Sequence, residues 1–98
     1  MAHFTEGPWY VYLVRCNDDS LYTGVTTDVT RRFQEHQAQG KKTAKYLRGK
    51  QPLSLVYVVA VESKRKALQL EHTIKEMAKC KKEAMLCLCD CYSKYVKG

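Results

Sequence analysis

Two tyrosines, an arginine and a histidine near the start of the chain have spacings that suit phosphate chemistry. Tyr12 and Tyr22 lie in consecutive strand-like segments, and Arg32 and His36 lie four residues apart in the segment that follows. Residues at i and i+4 are neighbours on one face of a helix. An arginine can hold phosphoryl oxygens while a neighbouring group moves a proton, and phosphodiester hydrolysis needs both functions.

A hairpin and a helix must bring these four side chains together. The segments WYVYLVRC (9–16) and LYTGVT (21–26) have the aromatic and β-branched composition of strands, and NDDS between them is typical of a turn. Strand alternation places Tyr12, Tyr22 and Gly24 on one face of this β-hairpin. Because Gly24 has no side chain, we expect open space beside the tyrosines, as where a ligand approaches a strand.

The rest of the chain predicts one more strand, three helices and one helical turn. A helix that contains Arg32 is capped by Thr27 or Asp28 and extends to about Gln39. Gly40 is the residue expected to stop it. The remaining elements are one helical turn at 44–48, a third strand over 53–61 that is apolar on both faces and therefore expected to be buried, a helix from a Ser63 cap to about residue 79, and a shorter helix over 81–92.

This order, β-β-α-β-α-α, predicts an α/β fold of the α+β type, with helices flanking a small three-stranded antiparallel sheet. With 98 residues, we expect a single domain, 1–98, whose core is at about 9–82, with 1–8 and 92–98 outside it. No apolar run approaches the roughly 20 residues of a membrane span. The first residues also lack the basic and apolar regions of a secretory signal, so we expect a cytoplasmic protein without a membrane partner.

The formal net charge is +7, and the cations cluster between residues 31 and 50, where Glu35 is the single acid. Such clustering favours a polyanionic partner, most commonly nucleic acid, although the charge could serve solubility alone. The residues predicted to contact phosphates are Lys41, Lys42, Lys45, Arg48 and Lys50, with Lys75 on a later helix. Lys75 also follows Glu71 at i+4, the spacing of an ordinary helix ion pair.

Five cysteines in a chain without a predicted signal argue against a disulfide framework. Three of them form the C-x-C-x-C sequence of Cys87, Cys89 and Cys91. Structural zinc sites use wider spacings and paired clusters. We therefore interpret these residues as thiols of a C-terminal helix, and a metal site is the alternative.

The pattern as a whole resembles the GIY-YIG nuclease family, most closely its small standalone bacterial members. The sequence YVY at 10–12 stands where the family has Gly-Ile-Tyr, and YTG at 22–24 stands where it has Tyr-Ile-Gly. TDVTRRFQEH follows, and then a glutamate in ALQLEHTIK, so the resemblance covers about residues 9–82. The family order β-β-α-β-α agrees with the order obtained above from periodicity and caps.

The resemblance implies a phosphodiesterase that uses one divalent ion, Mg²⁺ or Mn²⁺, and acts on nucleic acid, with DNA favoured over RNA. The matching positions imply a proton acceptor for the attacking water at Tyr22, a supporting residue at Tyr12, the motif glycine at Gly24, a phosphate-stabilising cation at Arg32, an assisting group at His36 and a metal ligand at Glu71. A tyrosine has a pKa near 10, so the base would depend on nearby cations to lower that value.

The sequence departs from the family pattern at three places. Tyr10 replaces the leading glycine of the first motif, and Thr23 replaces the isoleucine of the second. Several active members of the family also carry an asparagine on a helix beyond the metal glutamate. The only asparagine of this chain is Asn17, in the hairpin turn.

Three hypotheses therefore follow from the sequence. The leading one is a metal-dependent DNA endonuclease acting in repair or DNA turnover. The second is a non-catalytic nucleic-acid-binding module that retains the nuclease fold, which the missing asparagine motivates. The third is a protein-interaction domain whose basic surface is incidental.

Overall fold

The computed structural model describes residues 8–88, which form a three-stranded antiparallel sheet covered by helices. The elements in chain order are β1 (Trp9–Arg15), β2 (Leu21–Thr26), α1 (Val29–Ala38), a short 3-10 helix (Lys45–Leu47), β3 (Ser54–Val61), α2 (Lys64–Glu76) and α3 (Lys79–Leu88). The predicted fold class and element order are confirmed. The part of the last predicted helix beyond residue 88 lies outside the described residues.

The first strand lies at the centre of the sheet, whose order is β2-β1-β3. Residues 11–14 of β1 are all buried, because helices cover both faces of this strand. The prediction that β3 is well buried is wrong. None of its residues is fully buried, and Ser54 and Ala60 are exposed, because β3 is an edge strand that pairs with β1 within the described part of the chain.

Two apolar layers lie on opposite faces of the sheet. One layer contains Tyr12 and Val14 with Leu47 of the 3-10 helix, and Phe33 of α1 packs against it. The other layer contains Val11 and Leu13 with residues of α2, and residues of α3 pack around it. Alternate side chains of β1 therefore enter different layers, as strand geometry requires, and the tyrosine of the first motif faces α1.

Local hydrogen bonds fix where α1 begins and ends. The Asp28 carboxylate accepts a hydrogen bond from the Arg31 backbone N–H at 3.0 Å, so Asp28 is the N-cap. The predicted stop at Gly40 is one residue late. Gln39 takes the left-handed conformation, with φ of 56°, and its side-chain amide donates to the carbonyl of His36 at 2.9 Å, which helps to hold this uncommon conformation.

The later helix is shorter than its periodicity predicts. Ser63 caps α2 as expected, since its hydroxyl accepts a hydrogen bond from the Lys66 backbone N–H. The helix ends at Glu76 because Met77 is extended, with φ of −72° and ψ of 143°, and α3 begins at Lys79. Among the described helices, none is long and apolar enough to span a bilayer.

Candidate active site

A buried hydrogen bond joins the first motif to α1. Tyr12 Oη lies 2.8 Å from Nε2 of His36, and the two residues are 1% and 0% exposed. The Ala44 backbone N–H donates to the other ring nitrogen of His36, Nδ1, at 3.3 Å. A nitrogen that accepts a hydrogen bond carries no proton, so this network assigns the neutral ring with its proton on Nε2. His36 therefore donates to the Tyr12 oxygen, and the Tyr12 O–H can donate to a further group.

Burial keeps both members of this pair uncharged at neutral pH. It lowers the pKa of His36 to about 4, and the charge of Arg32 acts in the same direction while Glu35 opposes it. Burial also raises the pKa of Tyr12 above its usual range, and charge on Tyr22 adds to this effect against the opposing influence of Arg32. Tyr12 is therefore a hydrogen-bond donor at neutral pH and not a base.

The space beside Gly24 is filled, contrary to the prediction of open space. A Cβ at this position would lie 2.6 Å from both Cζ and Oη of Tyr12, closer than real contacts allow. Gly24 and Tyr12 are direct partners in the β1–β2 register. The glycine is required because the Tyr12 ring crosses its Cα on the way to His36, and not because a ligand enters there.

Tyr22 is the more accessible tyrosine of the pair. It is half-buried, and its ring centroid lies 6.3 Å from that of Tyr12 and 5.6 Å from that of His36. A third ring, that of Tyr46, lies 5.9 Å from Tyr22. The predicted grouping of Tyr12, Tyr22 and His36 is therefore present, and Tyr22 is its more exposed member.

The guanidinium of Arg32 is held in place by two acceptors. Its Nη1 donates to Glu35 Oε1 at 2.8 Å and to the Lys42 backbone carbonyl at 2.7 Å. Its charge acts on both Tyr12 and His36, so it lies at the tyrosine cluster. Glu35 was not among the predicted site residues, although its i, i+3 spacing from Arg32 is that of a helical ion pair.

Glu71 approaches the same cluster from α2. Its carboxylate contributes to the raised pKa of Tyr12, which places its charge within electrostatic range of that hydroxyl. The side chain is mostly buried, and Oε2 lies 3.2 Å from Nζ of Lys75, as the spacing of the two residues predicted.

The carboxylate of Glu71 is chemically suited to a hard divalent ion. Mg²⁺ commonly takes one or two protein carboxylates and keeps several of its waters. Among residues 8–88, no group of three or more histidine, cysteine or acidic side chains is arranged to hold a metal. An ion at Glu71 would therefore complete its coordination with water and substrate oxygens.

Cys87 is exposed, and Cys89 and Cys91 lie outside the described residues.

The basic loop after α1 is tied to the site through its backbone. The carbonyl of Lys42 accepts from Arg32, and the N–H of Ala44 donates to His36. The predicted phosphate contacts that lie exposed on this loop are Lys41, Lys42, Lys45 and Arg48. Lys50 is less exposed and is engaged by Asp18, whose Oδ2 lies 3.3 Å from Nζ.

Tyr46 was missing from the predicted site. It lies between Lys45 and Leu47 in the 3-10 helix, and 46% of the residue is exposed. The Lys50 Nζ lies 3.8 Å from its ring centroid. The sequence contained a usable indication, since this tyrosine is the single aromatic residue of the basic stretch KKTAKYLRGK.

A profile of the GIY-YIG catalytic domain matches residues 8–84 of the chain. This match spans the whole site, so the chain belongs to the GIY-YIG family, which is a family of nucleases. The first motif lies on β1, the second motif lies on β2, and the later glutamate lies on α2.

Bacterial relatives and a solved structure support this assignment. A UPF0213 protein of Vibrio cholerae serotype O1 (strain El Tor Inaba N16961) is 52% identical over 80 residues, which are 81% of this chain and 77% of the relative. The UPF0213 protein YhbQ of Salmonella typhimurium is 47% identical over 79 residues, with the same coverage of 81% and 77%. The solution NMR structure of the UPF0213 protein BH0048 from Bacillus halodurans is 43% identical, covers 84% of this chain and 85% of that chain, and superposes with a TM-score of 0.55.

Proposed function

We propose that the protein is a metal-dependent endonuclease that hydrolyses phosphodiester bonds in DNA. The observation that carries the proposal is that Tyr22 lies against the buried Tyr12–His36 pair while the charges of Arg32 and Glu71 both act on Tyr12. Membership of a nuclease family supports the same reaction. We further propose that the protein is cytoplasmic and acts in DNA repair or turnover.

Each side chain has a distinct part in this proposal. Tyr22, acting as its phenolate, accepts the proton of the attacking water, because it is the half-buried tyrosine while Tyr12 is 1% exposed. Arg32 binds the phosphoryl oxygens, where negative charge grows during the reaction. Tyr12 donates its remaining O–H toward the phosphate, and His36 is a positioning residue that fixes the direction of that donor.

Glu71 is the proposed ligand of the divalent ion, Mg²⁺ or Mn²⁺. The bound ion would supply electrostatic stabilisation to the scissile phosphate and its leaving oxygen. The ion pair with Lys75 holds the carboxylate until the ion competes for it. The cations of the basic loop position the DNA backbone without reading its sequence, so we expect sequence-independent binding that weakens with salt.

The decisive experiment compares labelled duplex, flap, fork and single-stranded DNA in Mg²⁺, Mn²⁺ and EDTA. Glu71→Gln should abolish ion-dependent cleavage and weaken Mn²⁺ binding in calorimetry. Tyr22→Phe and Arg32→Ala should each reduce cleavage by about a hundredfold or more, while the fold is retained. The matched control is Glu76→Gln, which neutralises a carboxylate of the same helix whose side chain is 69% exposed. Cleavage by Glu71→Gln at the rate of the parent would contradict the proposal.

A non-catalytic DNA-binding module is the alternative. Asn17, the single asparagine of the chain, donates its side-chain amide to the carbonyl of Gln51 at 2.7 Å, so it ties the hairpin turn to a loop. It therefore performs a structural task in place of the helical role that some active nucleases give to asparagine. Salt-sensitive binding without cleavage on any substrate, unchanged by Glu71→Gln, would favour this alternative.

A further inference from the structure

Tyr46 displays an aromatic ring at the edge of the site. It is one of two large hydrophobic residues that lie exposed in the described part of the chain, with 46% of its surface accessible. Its ring centroid is 5.9 Å from that of Tyr22, and the two ring planes differ by 33°. A group that contacts the Tyr46 ring therefore lies close to Tyr22, the residue proposed to activate water.

The backbone around Tyr46 is held firmly. Leu47 is fully buried, and its carbonyl accepts hydrogen bonds from the Gln39 side chain at 3.2 Å and the Lys50 N–H at 3.2 Å. The Leu47 N–H donates to the carbonyl of Ala44 at 2.9 Å. A ring displayed on such an anchored turn needs little ordering before a ligand binds, which favours affinity.

One cation lies over the Tyr46 ring, and two more are its near neighbours in the chain. Lys45 and Arg48 are exposed within two residues of Tyr46, and Nζ of Lys50 lies 3.8 Å from its centroid. An aromatic ring for a base, with positive charges for the flanking phosphates, is the combination used by proteins that bind single-stranded nucleic acid. Duplex DNA does not offer a free base face in its interior, because neighbouring base pairs cover it.

We propose that Tyr46 stacks on an unpaired base next to the scissile phosphate, so that the preferred substrate has a single-stranded segment at the point of cleavage. This inference rests on the proposed nuclease function, because Tyr22 defines where the scissile phosphate lies. Lys50 moves from the ring toward the phosphate of the stacked nucleotide, and Lys45 and Arg48 contact the phosphates on either side.

The test measures binding in EDTA, so that it does not depend on cleavage. Fluorescence anisotropy compares a labelled single-stranded oligonucleotide with the matching duplex. Tyr46→Ala should weaken binding to the single strand by about tenfold or more and change duplex binding little, whereas Tyr46→Phe should stay within about twofold of the parent. Lys45→Gln should weaken both substrates alike. Leu68→Ala, which truncates a side chain of a residue that is 43% exposed on α2, should change neither.

A scan with a single abasic nucleotide separates stacking from a structural role of Tyr46. Removing one base at the stacked position should weaken binding by the parent protein and have no added effect on Tyr46→Ala, because the stack is already lost. A flat scan for the parent, or equal losses on single-stranded and duplex DNA for Tyr46→Ala, would overturn the inference. If the binding pattern appears and no DNA is cleaved with Mg²⁺ or Mn²⁺, the nuclease proposal fails and the stacking site stands.

Discussion

Tyr12 and Gly24 face each other across the β1–β2 hairpin, and the tyrosine ring occupies the volume where a side chain at position 24 would lie. The contact directs the Tyr12 hydroxyl to His36, 2.8 Å away on α1. The glycine of the second motif thus determines the orientation of the tyrosine of the first. The two motifs form one packed unit, and α1 completes it.

Replacing Gly24 with alanine should displace the Tyr12 ring. The added Cβ would lie 2.6 Å from Cζ, so either the ring or the strand must move. We expect a loss of about 1–3 kcal/mol in the free energy of unfolding, measured by urea denaturation, together with loss of any cleavage. The control is Gly40→Ala, since a Cβ there meets no atom within 4 Å. Equal effects of the two substitutions would contradict the role given to Gly24.

The Tyr12–His36 hydrogen bond can be measured by a double-mutant cycle. Tyr12→Phe leaves a buried N–H of His36 without its acceptor, and we expect a cost of about 1–3 kcal/mol. His36→Leu removes the donor. The double variant should be more stable than the sum of the two losses predicts, by about 1 kcal/mol or more. Additive losses in chemical denaturation would show that the two groups do not interact.

The stability of the protein should depend on pH through His36. Its pKa is about 4 in the folded protein and near 6.5 in an unfolded chain. Between these values the unfolded state binds more protons, so the free energy of unfolding rises from about pH 4 to about pH 6.5 and is then level with respect to this group. We expect a change of about 3 kcal/mol over this range, because one pKa unit corresponds to about 1.4 kcal/mol. His36→Gln removes this contribution, and the difference between the two denaturation profiles isolates it. A difference that does not change with pH would contradict the assignment.

Neutralising Glu35 should increase the attraction of the site for phosphate. In the free protein this carboxylate pairs with Arg32 at 2.8 Å, and the pairing holds the pKa of Glu35 below its usual range. Glu35→Gln retains an acceptor for Arg32 and removes the competing charge. We expect several-fold tighter DNA binding at low salt and a steeper dependence on salt. Glu62→Gln, at an exposed carboxylate paired with Lys66, is the control. Weaker binding by Glu35→Gln would mean that its charge mainly positions Arg32.

The pairing of Arg15 with Glu83 should determine how firmly α3 packs on the sheet. Nη1 and Nη2 of Arg15 donate to the two carboxylate oxygens of Glu83, and this pairing holds the pKa of Glu83 below its usual range. Glu83→Gln should cost about 1 kcal/mol or less, because the pair is partly exposed. Amide hydrogen exchange should quicken in α3 and stay unchanged in β1 and β2. Faster exchange throughout the sheet would show that the pair supports the whole fold.

Much of the fold follows from local sequence features. The composition of the segments at 9–16 and 21–26 predicted the two strands of the hairpin. The turn residues between these segments predicted where the first strand ends and the second begins. Ser63 is the N-cap that the sequence predicted for α2, and Asp28 is one of the two caps, Thr27 or Asp28, that it predicted for α1. These features act over a few residues, so a single sequence is enough to find them.

The failures concern partners that are distant along the chain. The apolar run of β3 suggested a buried strand, yet the centre of the sheet is taken by β1, whose pairing joins residues far apart in sequence. Gly24 was correctly placed beside Tyr12, but the hydrogen-bond partner of the Tyr12 hydroxyl, His36, lies on another element. Tyr46 became a site residue only when the fold brought it next to Tyr22.

The candidate site is divided between two consecutive halves of the chain. The hairpin, α1 and the basic loop carry the tyrosines, Arg32 and His36, whereas Glu71 lies on α2, after β3. The halves are joined by an exposed turn at Gly49 and by the antiparallel pairing of β1 with β3. We therefore expect that a chain opened at Gly49 gives two fragments that regain the candidate site only by re-forming this strand pair, and the fold would then be suited to a split-protein reporter.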